Sequence, residues 1–149
     1  MRKTNILKVA VCTVMFTLML GTTVLAGTIS DSDYVRGKAT YSNSYTGAHG
    51  HYTASGTSTA ARTTAINESD STRFFYCTVT RFNWEDMEYD YTSQFANTLA
   101  NGESKIREIP RNKDATMYDY FHNAQAFETT TTNSPKIDDF SYTAMQYYR

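Results

Sequence analysis

The stretch Arg73-Phe74-Phe75-Tyr76-Cys77-Thr78-Val79-Thr80-Arg81-Phe82 decides the fold. Seven of its ten residues are aromatic or β-branched, and such side chains fit a pleated surface better than a helix. Read with period two, Phe75, Cys77 and Val79 share one face, and Phe74, Tyr76, Thr78 and Phe82 share the other. Both faces are apolar enough to bury. The stretch is therefore expected in the interior of a sheet, with Arg73 and Arg81 as its polar ends.

The flanks repeat the pattern at lower strength. Tyr34 to Tyr45 reads as extended, with Tyr41, Asn43 and Tyr45 on one side, and Gly27 to Asp33 before it reads as a loose polar lead-in. After the Gly47 to Gly50 turn, His51 to Ile66 alternates over one long strand of small residues. Met87, Tyr89, Tyr91, Ser93 and Phe95 alternate with polar residues, as an edge strand with one wet face does. Asn101-Gly102 is the strongest local turn signal, and a two-residue hairpin there would put Phe95, Leu99 and Ile106 on one face. A short helix from Ser93 to Ala100 is the alternative for that segment. Ala115 to Thr130 and Phe140 to Tyr148 supply the last two strands. About seven short strands separated by polar turns predict an all-β fold, a small antiparallel β-sandwich.

The first 26 residues read as an address. Arg2, Lys3 and Lys8 precede an uncharged apolar run from Val9 to Leu20, and Val24-Leu25-Ala26 places small residues where a signal peptidase reads. Cleavage is expected before Gly27, leaving a single secreted domain at 27–149; the signal has a bacterial look. An uncleaved anchor is the alternative, weakened by Gly21-Thr22-Thr23 at the end of a barely sufficient span. The mature chain keeps 11 Lys and Arg against 15 Asp and Glu, a net charge of −4. No basic field remains to hold nucleic acid.

The mature chain has only eight Ile, Leu and Val residues but twelve Tyr, seven Phe and Trp84. Its core must be largely aromatic, and many tyrosine hydroxyls must reach water or a partner. Cys12 leaves with the signal and Cys77 stands alone, so no disulfide forms within the mature chain.

Four sets of residues bear on chemistry. Cys77 with His49, His51 or His122 is the one thiol–imidazole combination, and its apolar neighbours favour a packed thiol over a nucleophile. His49 and His51, with His122, have the right donor type for a metal but no further ligand beside them. Asp86, Glu88 and Asp90 would project together from a strand, which calls for solvent or a cation such as calcium. Neither set is assigned a metal or any other cofactor, and no catalytic residue is assigned. The fourth set is aromatic: Trp84, Tyr89 and Tyr91 are the binding candidates, because flat rings with polar tips suit sugar faces and protein surfaces.

The small-residue strand after Tyr41-Ser42-Asn43, with His49 and His51, resembles the small secreted bacteriocins of the lactococcin 972 type over about thirty residues. That resemblance carries no residue roles. The expected function is a secreted, non-enzymatic binding module for cell-envelope glycan or a protein partner. A small secreted antibacterial protein is the alternative, and a hydrolase ranks last.

Overall fold

The computed structural model describes residues 27–111 and 117–147, with side chains from Ile29 onward. The expected signal peptide and the Tyr148 end of the last strand lie outside the described residues. The chain forms β1 (Gly27–Arg36), β2 (Tyr41–Thr46), β3 (Gly50–Gly56), β4 (Ala60–Asn67), β5 (Arg73–Asn83), β6 (Glu88–Leu99), β7 (Ser104–Pro110), β8 (Met117–Phe127) and β9 (Lys136–Tyr147). Two sheets build a sandwich, one in the order β1-β9-β8-β5-β6 and the other β2-β3-β4-β7. The all-β, sandwich-like architecture is the one the alternation predicts. Among the described residues no helix is long and apolar enough to cross a membrane.

Among the described residues nine strands stand where about seven were expected, and two local causes account for the difference. The first is β1. Gly27 to Asp33 is no loose lead-in: β1 runs parallel to β9 from Gly27 opposite Asp138 to Arg36 opposite Tyr147. Its side chains from Ser30 to Tyr34 are exposed, so the backbone ladder holds the strand and the side chains reveal little of it. The second is the 51–66 segment, which folds back on itself at Thr57-Ser58-Thr59 to give β3 and β4. The Thr57 hydroxyl accepts from the Ala60 amide at 3.1 Å, and the Thr57 amide donates to the Ala60 carbonyl at 2.8 Å. A threonine hydroxyl that mimics a backbone partner stabilises a turn without glycine.

β5 lies between β8 and β6, as the central stretch predicts. Phe75, Cys77 and Val79 are fully buried between the sheets. Arg81, expected at a polar end, is instead buried on that same inner face. Its guanidinium bonds the Asp90 carboxylate at 2.8 and 2.5 Å and the Pro110 carbonyl at 3.2 Å. The rings of Tyr91 and Tyr118 lie 4.4 and 4.7 Å from it. A buried guanidinium is tolerated because its charge and its donors are matched.

The Asn101-Gly102 turn forms, with Gly102 at φ +75° and the Glu103 amide donating to Ala100 at 3.0 Å. The strands it joins do not pair as a hairpin. β6 pairs with β5 and β7 with β4, so the turn carries the chain from one sheet to the other. Buried Asn67 holds that crossing: its amide donates to the Leu99 carbonyl at 2.8 Å and the Ser71 carbonyl at 2.9 Å. Gly102 N in turn donates to the Asn67 carbonyl. Ile106 consequently faces solvent at 54% exposure, while Leu99 is fully buried.

The core is the aromatic layer the composition demands. Tyr52 stacks on Phe140 and Tyr45, and Tyr41 lies against Tyr142 and His122. Gly56 sits directly against the Tyr41 ring, where any Cβ would clash. Three buried hydroxyls are matched: Tyr41 to His122 Nε2 at 2.8 Å, Tyr52 to Asp138 at 2.9 Å, and Tyr142 to Asp33 at 3.0 Å. Asp138, fully buried, also accepts the Ala48 and His49 amides at 2.8 and 3.0 Å. At the far end Arg111, the residue after β7, is buried. It donates to Gln146 and to the carbonyls of Gly37, Ala39 and Thr57.

Candidate functional site

The outer face of the five-stranded sheet is lined by alternate residues of β5, β6 and β8. On β5 these are Phe74, Tyr76, Thr78, Thr80 and Phe82, opposite in phase to the buried Phe75, Cys77 and Val79. The second face of the central stretch, able to bury, therefore stays partly open. An open groove of about 500 Å³ runs across it, lined by Tyr76, Thr78, Thr80, Tyr89, Thr92, Phe121 and Asn123. Tyr76 stands on one side, and Tyr89 and Phe121, with ring centres 6.1 Å apart, on the other. Threonine hydroxyls and the Asn123 amide form the floor between them.

The polar groups of that floor are largely unspent. Thr92 donates to Thr80 at 3.3 Å. Neither the Asn123 amide nor the Thr78 hydroxyl, however, bonds to a described residue, although Thr78 is only 5% exposed. The contrast with Asn67 and Asn83, both hydrogen-bonded through their amides, sets Asn123 apart. A half-buried amide without a protein partner is ready to serve an outside one.

A β-bulge sorts the three aromatic binding candidates. Arg81 pairs with Tyr91 and Phe82 with Tyr89, which leaves Asp90 as the extra residue of β6. The bulge turns Asp90 to Arg81 and puts Tyr89 and Tyr91 on opposite faces. Tyr89 joins Phe82 (5.0 Å) on the outer face, and Trp84 packs on the same Phe82 at 5.1 Å. Tyr91 covers Arg81 on the inner side. Trp84 and Tyr89 thus meet through Phe82 beside the groove, and Tyr91 stands apart. Trp84 is 41% exposed, and its side chain hydrogen-bonds Asp119. Burial raises the Asp119 carboxyl above the usual carboxylate range, and the bond from Trp84 opposes that rise.

The other candidate sets come apart. Cys77 is buried with its thiol directed at the Thr63 carbonyl, and burial pushes its pKa up to about 12. His122 is fully buried, its Nε2 bonded to Tyr41 and its Nδ1 to Thr63 at 2.9 Å. Burial lowers its pKa to about 3, so the ring is neutral with both nitrogens engaged. His49 lies in the bend before β3, and His51 bonds Thr46 at 2.9 Å. Asp86 accepts from Asn83 at 2.5 Å and Asp90 is committed to Arg81, so Asp86, Glu88 and Asp90 do not project as one cluster. Among the described residues no group of His, Cys, Asp and Glu is placed to hold a metal ion.

Tyr76, Phe121, Asn123 and the three threonines are the residues that sequence reasoning missed as a site. Their signal was phase: each lies on the opposite face of its strand from the core residues. No family model matches the chain, and no curated protein is similar to it.

Proposed function

We propose that this is an exported, non-catalytic binding module whose outer groove takes a glycan chain of the cell envelope. The observation that carries this reading is the groove itself, with aromatic walls and a floor of unspent hydroxyl and amide groups. Sugar rings present C–H faces that stack on aromatic rings, and hydroxyls that pair with threonine and asparagine. The neutral, enclosed His122 and the buried Cys77 thiol support a binding role over a catalytic one.

Co-sedimentation with purified peptidoglycan tests the reading, with Trp84 emission as a second readout because Trp84 abuts the Tyr89 side of the groove. Saturable binding accompanied by a shift in Trp84 emission is expected. Killing of sensitive cells without binding to any envelope fraction would give the case to the antibacterial alternative.

A further inference from the structure

The charges on this face say which glycan the groove suits. None of its seven lining residues is an Asp, Glu, Lys, Arg or His. The outer positions of β6 beyond the bulge, Thr92, Gln94, Ala96 and Thr98, carry no charge either. Two carboxylates stand on the same face, and both are engaged. Asp119 is 7% exposed and bonded by Trp84. Asp139 accepts from Gln125 at 3.1 Å and from Lys136 at 2.6 Å. The groove thus offers no open cation to an anionic polymer and no open carboxylate to an amino sugar.

It offers instead an amide with a donor and an acceptor, beside hydroxyls that do both. An acetamido group has the matching acceptor and donor, and its methyl suits the flanking rings. Desolvating a charged sugar here would cost free energy that no opposite charge returns.

Resting on the glycan reading of this groove, we infer that its ligand is a neutral, N-acetylated sugar chain. The Asn123 amide pairs with an acetamido group, and Tyr76, Tyr89 and Phe121 pack on the sugar faces. The contact is with the sugar backbone, so charged stems or phosphate polymers of an envelope are not what the groove holds. Affinity is then nearly independent of salt, since no ion pair forms.

The test is calorimetric titration of the mature chain with four soluble probes: N-acetylglucosamine oligomers, their deacetylated counterparts, cellulose oligomers and a polyuronate. The acetylated oligomers are expected to bind best, with the others at least about tenfold weaker, a difference worth about one good hydrogen bond. Asn123→Ala should lower affinity for the acetylated probe about tenfold, to about the level of the cellulose oligomers. Equal or tighter binding of the deacetylated or polyuronate probe overturns the inference and leaves the glycan reading standing. Equal binding of cellulose and acetylated oligomers overturns the acetamido contact. If no probe binds while peptidoglycan still co-sediments, the inference fails alone; if peptidoglycan fails too, both fall.

Discussion

The two faces of the five-stranded sheet are built from the same residue types and differ in what their polar atoms do. On the inner face, Tyr142 spends its hydroxyl on Asp33, Asp138 takes the Tyr52 hydroxyl from the opposite sheet, and His122 is held at both nitrogens. On the outer face, Tyr76, Phe121 and Tyr89 stand over an asparagine and a threonine whose side chains have no hydrogen-bond partner among the described residues. Aromatic content alone does not separate core from site. The separating quantity is how much hydrogen-bonding capacity the fold has already used.

Truncation should expose that difference most strongly. Phe75→Ala, in the inner layer beside Tyr52, should cost about 3–5 kcal/mol through the cavity it leaves. Phe121→Ala, half-buried on the outer face, should cost clearly less, on the order of 1 kcal/mol. Urea denaturation of the two variants checks this, and equal losses would erase the distinction between the faces. Next in size is Asp138→Ala, which strands the Tyr52 hydroxyl and the Ala48 and His49 amides. A loss of about 2–4 kcal/mol follows from leaving buried donors unmatched.

Acid sharpens the comparison from another side. His122 is held neutral in the fold at a pKa of about 3, and an unfolded histidine has 6.5. As pH falls below about 6.5 the unfolded chain takes up that proton before the folded one does. Stability therefore drops between about pH 6.5 and 3, and this contribution is fully lost below that window. Melting temperature against pH should decline more steeply in the wild type than in His122→Gln, whose side chain does not titrate. The smallest stability effect belongs to Asn123→Ala, within about 0.5 kcal/mol, because no described contact is lost. A larger loss by thermal melting would mean that Asn123 serves the fold.

How much of this was legible in the sequence follows from the same physics. Phe75, Cys77 and Val79 show the buried face of β5 because side-chain alternation is a local property. β1 was hidden because its stability comes from backbone pairing to β9 under polar side chains. The crossing at Asn101-Gly102 was hidden because a turn signal fixes the bend and not the partners of the strands it joins. Asn67, more than thirty residues upstream, settles that. Of the binding candidates, Tyr89 lines the groove and Trp84 lies beside it. Tyr91 does not, since the bulge at Asp90 depends on an ion pair with Arg81 that alternation cannot reveal. Asn123 and Phe121 sit on the open phase of β8, visible as such only once the core phase of that strand is known.

The most direct test of the account sets Tyr76→Ala/Asn123→Ala against the wild type in co-sedimentation with peptidoglycan, with the melting temperature of each recorded alongside. The account predicts a fold that melts within a few degrees of the wild type and an affinity at least about tenfold lower. Undiminished binding by a folded double variant would contradict it.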